Sequence, residues 1–382
     1  MPAIRPHSKT RTGCKNCKSR KVKCDERRPS CFNCTKRSLN CDLTPKFRCP
    51  RSIRELSPLP ASIDQGLASG DGPALQLADL ELLHHYSIST SYTITPNPVL
   101  RTLWQVNVVQ IGFQHEFVLR SVLALSALHC ARLNPQKRDF YISQAMIHHQ
   151  IASRKAMSLF SNITEENGTA LYAFSILTTI FGLASPRNPD NFMSFTEEGI
   201  AEWMYLHRGT RKIVALAEKE LKVGSLTPMF TMGARRAQSV GPESSQSEHL
   251  TQLRSLIMES TIDVDIQHIY LSSIDSLRRS FNQIYNISNH PADLVDIFIW
   301  PFQLSEEFLA LLKQHRNEAL VIFVFFSVLL KHFDGYWFLE GWSIHLISRI
   351  YHILDHEHRL WIRWPMEEIG WTPGVDHSSE IV

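Results

Sequence analysis

Apolar residues recur every three to four positions along most of the chain after residue 74, which is the spacing of one face of an α-helix. Residues 116–133 are rich in Leu, Val and Ala, and residues 170–184 are apolar almost all round. A stretch that is apolar on every side is buried on every side, so 170–184 is predicted to be a central helix. We find no strand-like alternation. The pattern predicts an all-α domain over residues 74–373, followed by a tail at 374–382.

Prolines and polar segments divide this domain into helices. Pro96 and Pro98 end the first helix, which begins near Leu75, because proline removes a backbone donor and blocks the preceding turn. Residues 224–249 carry Gly, Ser, Gln and Glu without periodicity, which predicts an exposed loop or a short helix. Pro301 is expected to kink a helix over 292–314. The remaining predicted helices cover 99–113, 135–159, 199–221, 262–284 and 318–333.

Several classes of protein are disfavoured by what the sequence lacks. The longest apolar runs, 171–184 and 319–330, fall short of the roughly 20 residues of a membrane span, so no span is expected. The start, MPAIRPHSKT, has no apolar segment of the kind found in secretory signals. We also find no nucleophile elbow, glycine-rich phosphate loop or His-Glu-x-x-His motif, so no enzyme is expected.

Charge is distributed very unevenly along the chain. The first 54 residues hold 16 Lys or Arg against 3 Asp or Glu, whereas the remaining residues hold 24 against 34. Positive charge confined to one end is typical of a protein that binds nucleic acid with that end. Residues 1–13 are predicted to be a basic arm. Residues 42–73, rich in Pro and Gly, are predicted to be a flexible linker between a basic head and an acidic body.

Six cysteines lie in the basic head in a Cys-x-x-Cys-x-six-Cys unit that occurs twice. They are Cys14, Cys17, Cys24, Cys31, Cys34 and Cys41. Zinc prefers four soft ligands in a tetrahedron, and each unit supplies three. Six cysteines satisfy two zinc ions if two thiolates bridge. Disulfides and a metal cluster without further role are the alternatives, but a Cys-x-x-Cys pattern in an intracellular chain favours metal.

Basic residues fill the space between the second and third cysteines. Lys18, Arg20, Lys21 and Lys23 are followed by Asp25, and we expect them on a short helix held by the metal. Lysine or arginine at a base edge contacts guanine O6 and N7 in the major groove, and neighbouring cations contact phosphates. The pattern predicts a zinc-stabilised domain over residues 14–41 that binds double-stranded DNA.

The stretch KSRKVKCD, with Pro29 and the second Cys-x-x-Cys, resembles the binuclear zinc-cluster domain of fungal transcription factors. The resemblance implies that Cys14 and Cys31 are the bridging thiolates. It also implies that Lys21 contacts a CG-containing triplet, with Lys18, Arg20 and Lys23 supporting. Many relatives dimerise through a coiled coil after the cluster. No sustained heptad follows here, so a monomer, or a homodimer formed through the body, stays open.

Three segments of the body resemble the regulatory domain of fungal sterol-uptake-control transcription factors. They are LADLELLHHYSISTSYTI, FVLRSVLALSALHCARL and HRLWIRWPMEEIGW. The resemblance implies an all-helical domain that binds an apolar ligand such as a sterol. The aromatic residues at 336–371 are expected either to line such a pocket or to pack the last helix onto the core.

The sequence therefore predicts a nuclear, zinc-dependent, sequence-specific regulator of RNA polymerase II transcription that works with the transcription machinery or co-regulators. The alternative is a chromatin-bound repressor or adaptor whose helical body binds other proteins and no ligand.

Overall fold

The computed structural model describes residues 13–25, 31–37, 76–186, 202–238, 243–285 and 293–374. The chain divides into two compact units, residues 1–73 and 74–382. The predicted linker over 42–73 lies outside the described residues, as do residues 1–12 of the predicted arm and 375–382 of the predicted tail.

The described residues of the first unit form two short helices, α1 (Lys15–Ser19) and α2 (Phe32–Thr35). Each begins directly after a cysteine, Cys14 for α1 and Cys31 for α2. The side chain of Cys14 accepts a hydrogen bond from the backbone N–H of Cys17 at 3.3 Å, which caps α1. The two Cys-x-x-Cys motifs thus lie on the first turns of the two helices.

The described residues of the second unit are mostly helical and contain no strand. α3 (Leu77–Ile88) is followed by a 3-10 turn at Thr90–Thr93. A continuous helical stretch then runs through α4 (Pro98–Thr102), a π-turn at Leu103–Asn107 and α5 (Val108–Gln114). The next helices are α6 (Glu116–Leu133), α7 (Arg138–Leu159, after a 3-10 turn at Pro135–Lys137), α8 (Glu165–Ala184), α9 (Glu202–Val223) and α10 (Thr227–Gln238). The remaining helices are α11 (Ser247–Ser260), α12 (Val264–Tyr285), α13 (Leu294–Gln303), α14 (Glu306–Lys313), α15 (Asn317–Lys331), α16 (Trp342–Ile353), α17 (His356–Trp361) and α18 (Arg363–Ile369).

The core of the second unit is built around α8 and α15. Every residue of α15 from Ala319 to Leu330 is buried, and α8 is buried along most of its length. By length and composition α8 would be able to cross a membrane, but 72% of the relevant stretch is buried inside the protein, as in the core helix of a globular domain. Gly168 lets α8 approach α9, because a Cβ there would lie 2.4 Å from the Cβ of Ala217.

The helix ends follow local signals in the sequence. Asn97 accepts hydrogen bonds from the backbone N–H groups of Val99 and Leu100, and Pro98 occupies the first turn of α4, where its missing N–H costs nothing. α8 begins with a capping box formed by Thr164 and Asn167.

Two expectations about the helices are corrected. The stretch predicted as one kinked helix over 292–314 is two helices, and the break lies at Leu304 and Ser305 rather than at Pro301, which α13 contains. Ser305 starts the new helix because its hydroxyl accepts from the N–H of Phe308 at 3.1 Å. Ile262, expected on the apolar face of α12, lies before the helix and is exposed.

Candidate functional site

The described cysteines of the first unit form a compact sulfur cluster. Cys14, Cys17, Cys24, Cys31 and Cys34 are all buried, and the first four have sulfur atoms within 4.8 Å of one another. The Sγ of Cys14 lies 3.7 Å from the Sγ atoms of both Cys31 and Cys34, and Cys17 Sγ also lies 3.7 Å from Cys31 Sγ. Cys41, the sixth predicted ligand, lies outside the described residues.

These distances fit zinc. Four sulfurs bound tetrahedrally at a Zn–S distance of about 2.3 Å are separated by about 3.8 Å from one another. The 3.7 Å separations match that edge length. They are longer than a disulfide, in which the sulfurs are about 2.05 Å apart. No disulfide joins any of the described cysteines, so the disulfide alternative has no support in that part of the chain.

The thiols of the cluster are held in their neutral form unless a cation is bound. Burial raises the pKa of Cys17, and the neighbouring thiols raise it further. Burial likewise raises the pKa of Cys14 and of Cys31. Only the thiolate is a metal ligand, so several buried thiolates need a compensating positive charge. Zinc supplies that charge, and its binding would release protons.

The basic run does not lie on the helix as predicted. α1 ends at Ser19, and only Lys18 of the four basic candidates is within it. Lys21 adopts the left-handed conformation, with φ of 55°. Its N–H donates to the carbonyl of Lys18, and the N–H of Val22 donates to the carbonyl of Cys17, each at 3.1 Å. This pair of bonds is the Schellman motif, which ends a helix and usually has glycine where Lys21 stands.

The chain after the Schellman motif is tied to the second half of the cluster domain. The carbonyl of Lys23 accepts from the side-chain amide of Asn33 at 2.9 Å, and the carboxylate of Asp25 accepts from the N–H of Phe32 at 3.0 Å. The segment that carries Lys21 and Lys23 is therefore held at both ends, by α1 and by α2.

The predicted DNA-contacting residues differ in exposure. Lys18, Lys21 and Lys23 are exposed, whereas Arg20 is half-buried and caps α1. The three lysines lie within six residues of chain beside the sulfur cluster. Pro29 lies outside the described residues.

A cavity of about 340 Å³ lies inside the second unit. That volume is within the range of small-molecule pockets. Its walls come from α4, the π-turn, α8, α9, α10 and α13, and they are mostly apolar. α10, in the stretch that lacked sequence periodicity, contributes Met229, Phe230 and the small residues Gly233 and Ala234.

The aromatic residues near the end of the chain do not line this cavity. Trp371 is buried in the core, and Trp361 and Trp364 pack against it. The Trp364 ring stacks on the His249 ring with their centroids 4.3 Å apart. Of the two predicted roles for this aromatic segment, the described residues support packing of the last helices onto the core.

Comparison with known proteins follows the same division of the chain. Residues 12–50 match the fungal Zn(2)-Cys(6) binuclear cluster domain, and residues 81–284 match the fungal specific transcription factor domain. A domain of the first kind binds two zinc ions, which confirms the predicted cofactor.

Similar proteins include transcription factors from several fungi. The chain is 25% identical to a Zn(2)-C6 fungal-type transcription factor, afumD, of Aspergillus fumigatus, over 82% of this chain and 83% of the relative. It is 25% identical to sterol uptake control protein 2 of Candida albicans over 75% of this chain, and 54% identical to the Saccharomyces cerevisiae protein of the same name over 70%. These matches span only 41% and 29% of the two sterol uptake control proteins.

Proposed function

The chain belongs to the fungal Zn(2)-Cys(6) transcription factors, and from that premise we propose that it is a zinc-dependent regulator of RNA polymerase II genes that binds a CG-containing DNA site. Its family makes it a DNA-binding transcription regulator and a nuclear protein. The assignment of ligands, of DNA contacts and of an apolar effector belongs to the proposal.

The position of Cys14 carries the metal assignment. Cys14, Cys17, Cys24 and Cys31 would hold one zinc ion, and Cys14, Cys31, Cys34 and Cys41 the other. The support is the position of Cys14 Sγ, which lies 3.7 Å from the Sγ atoms of both Cys31 and Cys34. This is the sulfur–sulfur separation in a zinc tetrahedron, and Cys34 belongs to the second group alone. A thiolate that bridges two zinc ions must lie at that distance from sulfur atoms of both groups of four cysteines.

The lysines beside the cluster supply the proposed DNA contacts. Lys21 would donate to guanine in the major groove, and Lys18 and Lys23 would contact the flanking backbone, with Arg20 supporting them from the end of α1. The hydrogen bonds that Asn33 and Phe32 donate to Lys23 and Asp25 fix the segment in advance, so less entropy would be lost on binding.

DNA selection from a random pool by the full chain, with and without a zinc chelator, tests this function. A CG-containing consensus that disappears on chelation is the expected result. Lys21→Ala should lose about 1–3 kcal/mol of binding free energy on that site, because it removes a base contact. On random DNA the same variant should lose little. Lys23→Ala is the matched control. It should weaken both DNAs alike and reduce the salt dependence, as loss of a phosphate contact does. Equal losses for Lys21→Ala on both DNAs would contradict its base-contacting role.

The cavity of the second unit supports a second element of the proposal, that the body senses an apolar ligand such as a sterol. A protein-interaction module without a ligand does not need a pocket of about 340 Å³ with mostly apolar walls. Fusion of residues 74–382 to an unrelated DNA-binding domain tests the sensing role. A reporter that responds to depletion of cellular sterol supports it, and one that represses equally with and without sterol favours the repressor or adaptor.

A further inference from the structure

The turn that joins α11 to α12, residues 258–265, presents apolar side chains to solvent. Met258, Ile262 and Val264 are 53%, 96% and 75% exposed, and they lie close together along the chain. Ile262 is the residue that the helical spacing predicted on the apolar face of α12. Exposed apolar residues that cluster, unlike those scattered singly over a surface, are typical of a site that binds another molecule.

Hydrogen bonds hold the backbone of this α11–α12 turn in one conformation. The side-chain amide of Gln267 donates to the carbonyls of Met258 and Thr261, at 3.1 and 3.0 Å. The carboxylate of Asp263 accepts from two backbone N–H groups at the start of α12, at 3.0 and 3.1 Å, and so caps that helix. A turn that is already ordered loses less entropy when a partner binds to it.

The charges of the α11–α12 turn are all of one sign. Glu259, Asp263 and Asp265 are exposed, and the turn contains no Lys or Arg. The preceding basic residue, Arg254, forms an ion pair with Asp275 at 3.1 Å. An acidic surface is repelled by DNA phosphates and by anionic membrane lipids, so neither is a suitable occupant of this site.

A partner for this surface needs two properties. An apolar groove would take the side chains of Ile262 and Val264, and Lys or Arg at the border of that groove would face the carboxylates of the turn. A second copy of the same turn would bring acids against acids, so symmetric self-association through it is disfavoured. The fitting occupant is therefore a different protein with a basic border around an apolar groove.

We propose that the α11–α12 turn binds a transcriptional co-regulator, through an apolar groove of that protein bordered by Lys or Arg. Ile262 and Val264 are the anchors, and the carboxylates of Glu259 and Asp265 select the basic border. This inference rests on the proposed function in transcription and adds to it the surface through which the DNA-bound chain acts on a partner.

The first test uses the full chain in fungal cells, with a reporter gene under its CG-containing site. Ile262→Ser/Val264→Ser removes both anchors and should reduce the reporter response about fivefold. Occupancy of the site, measured by chromatin immunoprecipitation, should stay within about twofold of wild type, because the turn lies outside the unit that carries the zinc cluster. Both positions are exposed, so the variant should fold, which its melting temperature checks. Leu77→Ser/Val223→Ser, at positions 74% and 84% exposed, is the matched control and should leave both readouts unchanged.

The charges of the turn are tested by a second pair of variants. Glu259→Gln/Asp265→Asn removes two carboxylates and leaves Asp263, which caps α12. The reporter response should fall about threefold while the site stays occupied, because the basic border of the groove loses its partners. Glu165→Gln/Glu166→Gln, in the exposed first turn of α8, is the matched control and should leave the response unchanged.

A photoreactive phenylalanine analogue in place of Ile262 identifies the partner by crosslinking in the same cells. The crosslinked protein is then purified, and its Kd for the full chain is measured. Ile262→Ser/Val264→Ser should weaken this binding about tenfold. Raising the salt concentration from about 50 mM to about 500 mM should weaken binding to the wild-type chain by a similar factor, because it screens the carboxylates.

The outcomes separate this inference from the function on which it rests. Failure of the wild-type chain to occupy the CG-containing site would overturn the proposed function and, with it, this inference. An occupied site with the same reporter response in the wild-type chain and in both turn variants would overturn this inference alone. Crosslinking to a second copy of the chain, or binding to the purified partner that does not depend on salt, would overturn the stated chemistry of the partner.

Discussion

Replacing Lys21 with glycine separates two free energies that meet at this residue, the strain of its backbone and the contact of its side chain with DNA. Lys21 is left-handed, with φ of 55°, at the end of α1. The Schellman bonds that it completes end on the carbonyls of Cys17 and Lys18, so the conformation is tied to the folded cluster domain.

The expected magnitude follows from that geometry. A residue with a Cβ loses roughly 1–2 kcal/mol in the left-handed region, and glycine does not. Glycine, however, loses about 0.4–1 kcal/mol more than alanine in chain entropy on folding. The Lys21→Gly domain should therefore be more stable than the Lys21→Ala domain by about 0.5–1 kcal/mol. Both variants lack the ammonium group, so they should lose the same affinity for the CG-containing site.

A chelator titration of the full chain, with released zinc as the signal, measures the stability difference. Lys21→Gly should need about two- to fivefold more chelator than Lys21→Ala for half-release. The same pair at Lys23, which is not left-handed, should show the opposite order, because glycine there carries only its entropic cost. If Lys21→Ala resists the chelator as well as Lys21→Gly does, the left-handed turn is not part of the folded domain and the reasoning fails.

Two further predictions concern the cluster and the body. Elemental analysis should find two zinc ions in the wild-type chain, about one in Cys24→Ser and none in Cys14→Ser; equal losses in the two variants would argue against a bridging Cys14. Burial lowers the pKa of His149 from 6.5 to about 4, and its ring stacks on Phe181 with its Nδ1 unpartnered among the described residues. Because the folded pKa is depressed, this histidine's share of stability is present above its unfolded pKa and is lost as the pH falls from about 6.5 towards 4. The free energy of unfolding, measured with urea, should fall between pH 7 and pH 5 by about 2 kcal/mol less in His149→Phe than in the wild-type chain. An equal fall in the two proteins would refute the assignment.

The sequence was sufficient for the cluster because its information is local. A Cys-x-x-Cys motif places two thiols on one helical turn, and the third cysteine follows six residues later. The placement of the basic residues on a helix was wrong for an equally local reason. Glycine usually occupies the left-handed position that ends a helix, but here that position is Lys21. The sequence therefore contains no glycine that would indicate the end of α1.

The body was predictable where helices bury one continuous face. α6 has the predicted bounds, Glu116–Leu133, because its apolar residues give an unbroken helical pattern. One helix kinked near Pro301 was expected over 292–314, although Ser305 followed by two glutamates is a stronger signal that a new helix begins. A proline near the end of a helix removes only one backbone hydrogen bond. Ser305 instead caps a new helix, because its hydroxyl accepts from the backbone N–H of Phe308.

The cavity depends on contacts that no local pattern contains. Asp293 and Asp296 stand three residues apart in one short stretch, DLVD, and both look like ordinary capping residues. Their partners lie elsewhere in the chain: Arg236 forms an ion pair with Asp296, and the hydroxyl of Thr95, 198 positions away, donates to Asp293. The sequence analysis predicted only a helix over 292–314 in this region and identified neither the cap nor its partners. The cavity therefore becomes visible only when the helices that form its walls have been packed together.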